Sequence, residues 1–318
     1  MWVYAEIGPD GPATSALELL AKARTLADTV AAVALGPGAT RAAETLGAHG
    51  AVTVFASDDP IYQEAVALPA AHALAELAAR HVPDMILFPT SHEARDVAGR
   101  LQAKTGATLM GNATDVPALD RAVTQIFGDT RIVEVALEGP KPSIVLVRPK
   151  AFVPEPTGGA AEVIPVDVQI SDELRVVRRV ERHAETASGP KLEDAKVVVS
   201  GGRGLQDPAN FRLLDLLAGA IGGAAVGATR AVVDAGWVPY SQQIGQTGKT
   251  VKPDVYIAVG ISGATQHVVG MRGARRIVAV NKDPLAPIFG LADIGVVADA
   301  LEFVPKLVEE IERRKGAS

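Results

Sequence analysis

The chain has 318 residues, a formal net charge of −6 and no cysteine, and 48% of its residues are hydrophobic but only 4% aromatic. Without cysteine, disulfides, thiolate nucleophiles, iron–sulfur clusters and zinc–thiolate sites are excluded. The acidic balance and the lack of a basic stripe argue against a nucleic-acid partner. This length and this aliphatic composition predict two α/β domains with buried parallel strands.

The N-terminal stretch MWVYAEIGPDG has neither the basic region nor the long apolar core of a signal peptide. No run of about 18 apolar residues occurs in the chain, so we expect no transmembrane helix. Together these observations predict a cytoplasmic location.

The first half of the chain alternates between strand and helix patterns, which is typical of a doubly wound parallel sheet. We predict strands at residues 1–7, 30–35, 51–55 and 85–89, and helices at residues 13–28, 65–80 and 93–105.

After residue 120 the pattern changes to short strands joined by turns. Strands at residues 122–127, 132–136 and 143–147 are predicted to close the first domain with an antiparallel element, and a further short strand lies within residues 161–169. The sequence Ser188-Gly189-Pro190 marks a boundary, which predicts domains at residues 1–188 and 189–318.

The second domain repeats the alternation more regularly, so the predicted fold class is α/β with two doubly wound domains. Its predicted strands are residues 196–200, 224–228, 255–259, 276–280 and 294–298, and its predicted helices are residues 208–221, 265–271, 284–289 and 301–315.

Polar and glycine residues follow every predicted strand of the second domain. In an open parallel sheet, ligands bind outside the carboxyl ends of the strands. Glycine-rich turns bind phosphate through free N–H groups, and arginine, hydroxyl and amide side chains add charged and directional hydrogen bonds. This mixture predicts a large ligand with both a phosphate part and a polar ring. The residues concerned are Arg203, Thr229, Arg230, Ser262, Gly263, Ala264, Thr265, Gln266, His267, Asn281 and Asp299.

Each of these features also has an ordinary structural explanation. Glycine-rich turns are common, a lone arginine is usually a surface residue, and Asn281 or Asp299 is able to cap a helix. His267 alone is more typical of a helix surface than of a ligand contact. Five strand ends that all carry such groups favour a binding site over those separate explanations.

The stretch IGQTGKT at residues 244–250 resembles a nucleoside-triphosphate loop, but its spacing is wrong. That motif needs a glycine five places before the Gly-Lys pair, where this chain has Gln243. Pro253 follows closely and disfavours the helix that the motif requires. The stretch therefore predicts a loop with another purpose.

The segment Thr90–Asp96 follows the strand at residues 85–89 and is open to two interpretations. It is either a nucleotide site or catalytic cluster, or a capping segment in which Ser91 begins a helix, and we favour capping. The chain has no nucleophile elbow, His-Glu-x-x-His sequence or Cys/His pair, so hydrolytic and metal chemistry lack support.

Five stretches of the second domain resemble the electron transfer flavoprotein α-subunit family, and the match is close over roughly residues 197–308. The N-terminal half is compatible with that family in length and layout. By this resemblance, residues 244–250 form a flavin-binding loop. The stretches are VVVSGGRGL (197–205), GATRAVVDAGW (227–237), QQIGQTGKTVKPDVYIAVGISGATQH (242–267), IVAVNKDPLAPIF (277–289) and ADIGVVAD (292–299).

The resemblance implies a heterodimer with a β subunit, one FAD held by the C-terminal parallel-sheet domain, and an interface role for the N-terminal domain. It implies an electron carrier between flavin dehydrogenases and a quinone oxidoreductase or similar acceptor, rather than an enzyme that turns over a substrate. The β subunit of simple members binds AMP, whereas that of bifurcating members binds a second FAD. The FAD contacts implied are Arg203, Thr229, Arg230, Ile244, Gly245, Gln246, Thr247, Ser262, Gly263, Ala264, Thr265, Gln266, His267, Asn281 and Asp299.

Three of these residues are expected to tune the flavin. A guanidinium at Arg230 and a donor at His267 stabilise negative charge on the reduced ring, and Thr247 is expected to reach N5 and O4. The family commonly has serine at position 229 and often isoleucine at position 265, where this chain has threonine.

Two alternatives remain at this point. A nicotinamide-dependent oxidoreductase needs Gly-x-Gly-x-x-Gly after the first strand and an acid after the next, but GGRGLQ breaks the first pattern and Thr229-Arg230 replaces the acid. Whether the carrier is simple or bifurcating depends largely on the β chain.

Overall fold

The computed structural model describes residues 1–127, 129–181 and 190–316, which belong to two compact units, Met1–Arg182 and His183–Ser318. The predicted boundary between residues 188 and 189 lies outside the described residues. Within the described part of the chain, every helix is too short or too polar to span a bilayer.

The first unit is built on a nine-stranded sheet, with a separate two-stranded hairpin. Its strands are β1 (Trp2–Ala5), β2 (Ile7–Gly8), β3 (Gly11–Pro12), β4 (Ala31–Leu35), β5 (Thr53–Ser57), β6 (Met85–Pro89), β7 (Leu109–Ala118), β8 (Arg121–Ile126), β9 (Arg131–Ala136), β10 (Ser143–Val147) and β11 (Glu162–Pro165). Its helices are α1 (Thr14–Ala23), α2 (Ala39–Ala48), α3 (Ile61–Glu64), α4 (Leu68–His81) and α5 (His92–Thr105), followed by a 3₁₀ turn at Asp172–Arg175.

The strand order of the large sheet is β11-β5-β4-β1-β6-β10-β7-β8-β9. The sheet is parallel from β11 to β7, whereas β7, β8 and β9 pair antiparallel. The chain moves outward from β1 through β4 to β5 and then returns to β6 on the other side of β1. The strand order therefore reverses between β1 and β6, which is the topological switch point of this sheet.

Side chains of β1 alternate between two cores, one on each face of the sheet, as the strand period requires. Val3 packs with residues of α1 and α2, including Leu20. Tyr4 packs on the opposite face with residues of α4 and α5, including Leu74, and its ring centroid lies 5.0 Å from that of Phe88. The unit is therefore a three-layer sandwich of helices, sheet and helices.

The sequence interpretation of the first unit needs three corrections. Strand β10 was predicted as part of an antiparallel element, but it lies between β6 and β7 and is parallel to both. All five of its residues are buried, as a continuous apolar run in a central parallel strand requires. Helix α2 and strand β7 were not predicted, because α2 is mainly small residues and β7 carries both a glycine and a proline.

The second unit contains a five-stranded sheet that is parallel throughout. Its strands are β12 (Val197–Gly201), β13 (Ala225–Ala228), β14 (Val255–Val259), β15 (Arg276–Asn281) and β16 (Ile294–Val297), in the order β13-β12-β14-β15-β16. Its α-helices are α6 (Arg212–Ile221), α7 (Arg230–Asp234), α8 (Thr265–Met271) and α9 (Ala300–Gly316), with 3₁₀ turns at Arg203–Leu205, Pro208–Phe211, Tyr240–Gln242 and Pro287–Gly290.

All five predicted strands of the second unit are confirmed, and so is its doubly wound arrangement. Residues of α6 and α9, such as Leu214 and Val304, cover one face of the sheet, and Met271 of α8 packs on the other. The predicted helix at residues 284–289 is wrong, because that segment holds only the 3₁₀ turn Pro287–Gly290. Pro287 disfavours the helical conformation in the residue before it, and Ala286 is accordingly extended, with a ψ of 127°.

The switch point of this sheet lies between β12 and β14, and two glycines let the following loops touch. A Cβ added to Gly204 would lie 2.6 Å from the Cα of Gly260. Gly260 itself has a φ of +62°, and its own added Cβ would lie 2.8 Å from the Cα of Gly204. Only glycine at both positions allows this approach without displacement of the backbone.

We predict that Gly204→Ala destabilises the second unit by about 1–3 kcal/mol, because the new methyl group overpacks a rigid backbone contact. The matched control is Gly219→Ala in α6, where no atom lies within 4 Å of an added Cβ. That change should be neutral or stabilise by up to about 1 kcal/mol, since alanine is the better helix former. Urea denaturation measures both, and equal effects of the two substitutions would contradict the steric account.

Candidate functional site

The loops after β12 and β14 are joined to each other by backbone hydrogen bonds. The N–H of Gly202 donates to the carbonyl of Val259 at 3.1 Å, and the N–H of Gly204 donates to that of Gly260 at 2.9 Å. Arg203, between the two glycines, is exposed and projects from this braced edge. The two loops at the switch point are therefore held rigidly together, and the cationic side chain of Arg203 is exposed beside them.

Residues 260–266, here called the switch loop, lead from β14 into α8. The amide of Asn281 donates to the carbonyl of Ile261 at 2.9 Å, and the N–H of Ile288 donates to the carbonyl of Ser262 at 3.0 Å. These bonds use carbonyl groups of the loop and leave its donors unused. The backbone N–H groups of residues 262–266 make no hydrogen bond to any residue in the described part of the chain. Five consecutive amides are therefore available to a ligand.

The 244–250 loop closes on itself through its backbone. Gly245 donates to the carbonyl of Lys249 at 3.1 Å, Gly248 to that of Gly245 at 3.0 Å, and Lys249 to that of Gln243 at 2.7 Å. The loop also joins the switch loop, because the N–H of Gln246 donates to the carbonyl of Gln266 at 2.7 Å. The two loops therefore form one wall at the edge of the sheet.

Thr247, in the 244–250 loop, has two hydrogen-bond donors that are free: its hydroxyl and its backbone N–H. Its hydroxyl accepts a hydrogen bond from the buried amide of Gln243 at 3.0 Å, and the hydroxyl of Tyr240 donates to its carbonyl. Because the threonine oxygen already accepts, its own hydrogen is available to point elsewhere. The backbone N–H of Thr247 also makes no hydrogen bond to a described residue, so the exposed residue presents two donors together.

His267 is buried beneath the wall, with only 5% of its surface exposed. Its Nδ1 lies 3.0 Å from the carbonyl oxygen of Ile244, and its Nε2 lies 2.8 Å from the hydroxyl of Tyr256 in β14. A carbonyl only accepts, so Nδ1 carries the hydrogen and Nε2 accepts from the tyrosine. Burial lowers the pKa of His267 to about 4, an effect that the hydrogen bond to Ile244 opposes. The side chain is therefore a neutral clamp between the sheet and the 244–250 loop.

The predicted role of His267 as a donor to a flavin needs a free ring N–H. Because the carbonyl of Ile244 only accepts, the single hydrogen of the neutral ring is already used in that bond. A direct contact with a ligand would require the ring to exchange one of its two internal hydrogen bonds, so that contact stays a prediction.

Thr229 and Arg230 lie where β13 ends and α7 begins. The N–H of Thr229 donates to the carbonyl of Gly201 at 3.0 Å, which joins this strand end to β12. Arg230 pairs with Asp234 one turn along α7 at 3.1 Å, and its side chain is 65% exposed. An exposed pair of this kind contributes little to stability, so the guanidinium is able to turn toward a ligand at low cost.

Asn281 and Asp299 have structural partners in this edge. Besides its bond to Ile261, the Asn281 side chain accepts from the N–H of Asp283 at 3.0 Å. Asp299 caps α9, because its carboxylate accepts from the N–H of Leu301 at 2.8 Å. Helix capping, the structural alternative given for both residues, is confirmed for Asp299 only, because Asn281 holds the switch loop and the turn at Asp283 instead. Contacts of either residue to a ligand remain predictions.

The sequence analysis did not identify the residues that hold Thr247 and His267 in position. Tyr240 and Gln243 hold Thr247, and Tyr256 holds His267. Gln243 directly precedes the loop and was noticed only as a departure from a phosphate motif. Tyr256 stands in an apolar strand, where an aromatic residue ordinarily predicts core packing.

Elsewhere, Ser91 caps α5 as predicted, because its hydroxyl accepts from the N–H of Ala94 at 2.9 Å. Among the described residues, no three His, Cys, Asp or Glu side chains are grouped closely enough to hold a metal ion.

Two family models match this chain. The electron transfer flavoprotein domain matches residues 1–171, and the electron transfer flavoprotein FAD-binding domain matches residues 191–272. The second range contains both loops of the wall and begins before β12.

Several proteins named electron transfer flavoprotein subunit alpha are similar to this chain. The electron transfer flavoprotein subunit alpha of Mycobacterium tuberculosis is 40% identical over 300 residues, which cover 94% of each chain. That of Mycobacterium leprae is 39% identical over 300 residues with the same coverage. That of Thermoanaerobacterium thermosaccharolyticum is 36% identical over 327 residues, which cover 99% of this chain and 98% of the relative.

The lowered pKa of His267 predicts a pH-dependent stability. Between pH 6.5 and about 4, His267 is protonated in the unfolded chain and neutral in the folded chain. The free energy of unfolding therefore falls as the pH drops through this range, by at most about 1.4 kcal/mol per pH unit. Above pH 6.5 the residue is neutral in both states and causes no loss of stability. Urea denaturation at about pH 7 and about pH 5, monitored through the fluorescence of released flavin, measures the difference in the free energy of unfolding.

The variant His267→Asn removes the titrating group, so its stability loss between the two pH values should be smaller than that of the parent. The exposed His92 in α5 provides the matched control, His92→Asn, which should keep the parental pH dependence. An unchanged pH dependence in His267→Asn would refute the assignment.

Proposed function

This chain belongs to the electron transfer flavoprotein α-subunit family, and we propose that it binds FAD at the wall described above and carries electrons between redox partners. The chain contains an FAD-binding domain at residues 191–272. The observation that carries the proposal is the row of five free amides at residues 262–266 beside the two free donors of Thr247. Such a surface is complementary to a ligand rich in acceptors and negative charge.

The residues present fit FAD. The diphosphate and the ribityl hydroxyls need backbone donors held in fixed positions, and two glycines allow the tight packing of loop against neighbouring backbone that holds them. Gly245 and Gly263 have φ values of +139° and +90°, and an added Cβ on either would lie within 2.6 Å of backbone atoms. Arg203 supports binding of the diphosphate as an exposed cation at the braced edge. The ring of FAD needs donors for its N5 and carbonyl oxygens, which Thr247 supplies.

When bound, FAD supplies the capacity to accept electrons from one protein and release them to another. The role of the protein is to hold and tune it. A guanidinium at Arg230 and a hydroxyl donor at Thr247 stabilise added negative charge on a neighbouring group, by the same physics as an oxyanion hole. His267 contributes indirectly, since its two hydrogen bonds fix the backbone of Ile244 at the start of the loop.

The proposed partners are a β subunit, flavin dehydrogenases as donors, and a quinone oxidoreductase or similar acceptor. A protein partner is supported by exposed apolar side chains on strands β8 and β9 and the turn between them. Ile126, Phe127 and Ile132 are 40%, 80% and 73% exposed. Large apolar side chains as exposed as Phe127 and Ile132 are candidates for burial in a protein interface. The chain is proposed to be a carrier, so its own substrate turnover is not expected.

Co-purification with the β subunit, followed by a visible absorption spectrum and a flavin assay, tests the proposal. We expect about one FAD per heterodimer if the protein is a simple carrier. About two FAD per heterodimer would favour the bifurcating alternative, in which the β subunit holds a second FAD. A colourless complex that also fails to bind added FAD would overturn the proposed site.

Removing the donor of Thr247 should make the flavin harder to reduce. For Thr247→Val we expect a two-electron midpoint potential lowered by roughly 30 mV, the equivalent of one hydrogen bond of about 1.4 kcal/mol. Reductive titration with a reference dye measures the shift. Thr250→Val, the same change three residues further on, is the matched control. The assignment fails if both variants shift the potential equally, or if neither does.

A further inference from the structure

We propose a second ligand site, in the first unit, that binds a small organic cation carrying N–H donors, such as an amidinium or a primary ammonium. It lies at the switch point between β1 and β6 and is independent of the proposed flavin site. Ligands of open α/β sheets bind where the strand order reverses, outside the carboxyl ends of the strands.

A cavity of about 270 Å³ occupies this position. Its polar lining comes from Tyr4, Glu6, Tyr62, Gln63, Glu93 and Arg179. Tyr4 belongs to β1 and Glu6 follows it directly, whereas Glu93 belongs to α5, the helix after β6. The Arg179 backbone is fixed by its N–H, which donates to the carbonyl of Glu64 at 2.8 Å. The walls therefore come from both sides of the switch point.

Two buried tyrosines line this cavity. Tyr4 and Tyr62 are each only 5% exposed, and neither hydroxyl hydrogen-bonds to a described residue. Burial, together with the carboxylates of Glu6 and Glu93, raises the pKa of Tyr4, so its hydroxyl lies in their electrostatic field. Neither hydroxyl oxygen is one of the fully enclosed unpaired polar atoms among the described residues, so both are open to the cavity. A ligand in the cavity is therefore able to hydrogen-bond to both hydroxyls.

The charges of the cavity favour a cation. Glu93 is already paired with Arg179 at 3.0 Å. Glu6 accepts a hydrogen bond from the hydroxyl of Ser91, but no cation of the described residues lies within salt-bridge distance of it. Burial raises the pKa of Glu6, as expected for a carboxylate without a counter-ion. An amidinium supplies the missing charge and two parallel donors, whereas a phosphate would meet two carboxylates and a guanidinium that is already occupied.

Three probes of similar shape and different charge test this site. Isothermal titration calorimetry of the FAD-loaded heterodimer should detect binding of benzamidine, a cation, at least about tenfold tighter than that of neutral benzamide, and no binding of anionic benzoate. Equal affinity for benzamidine and benzamide, or no binding of benzamidine, overturns the proposal. Because FAD remains bound throughout this titration, the absence of benzamidine binding would not count against the proposed flavin site.

Two variants locate the binding. Glu6→Gln should weaken benzamidine about tenfold and abolish the preference over benzamide, because the shape is kept and the charge is lost. Tyr4→Phe, which removes only the unpartnered hydroxyl, should weaken benzamidine several-fold and provides the test if Glu6→Gln fails to fold. Glu44→Gln, the same change on the exposed face of α2, is the control and should bind like the parent. Parental affinity in both cavity variants contradicts the site.

Discussion

The close approach of two glycine loops at the switch point of the second sheet is the constraint on which the candidate site depends. Gly204 and Gly260 bring the backbones after β12 and β14 into contact, and hydrogen bonds at 2.9 and 3.1 Å then hold them together. Several carbonyl groups of the switch loop are engaged by neighbours, whereas the N–H groups of residues 262–266 have no acceptor among the described residues. A side chain at either glycine would separate the loops and remove the floor of the site.

A second set of contacts fixes the position of the wall relative to the sheet. The 244–250 loop is joined to the switch loop by one backbone bond, from Gln246 to Gln266, and to β14 through His267 and Tyr256. Because these partners are polar and satisfied, the buried chain Tyr256–His267–Ile244 fixes one conformation instead of costing unpaired groups. Thr247, which presents donors, is exposed, whereas Gln243, Tyr256 and His267, which hold the wall in place, are buried.

Much of this arrangement was predictable from the sequence, for a definite reason. Each strand of the second sheet is a short apolar run that ends in glycine or polar residues, so the strands and the polar edge at their carboxyl ends follow from the pattern. The first sheet was harder, because the position of β10 between β6 and β7 depends on pairing with strands far away in sequence. The burial of His267 was hidden for a similar reason, since its partner Tyr256 lies in a strand that shows only an apolar pattern. The cavity beside Tyr4 and Glu6 was also missed, because Ser91 was understood as a helix cap and its second bond, to Glu6, joins residues 85 positions apart.

Hydrogen–deuterium exchange of the heterodimer with and without FAD tests the central claim most directly. The account predicts that FAD slows exchange at the amides of residues 262–266 and of Thr247, which have no protein acceptor, and leaves Gly204 nearly unchanged, since its N–H already donates to Gly260. Slowed exchange confined to the first unit, or no change at the switch loop, would contradict the placement of the flavin at this edge.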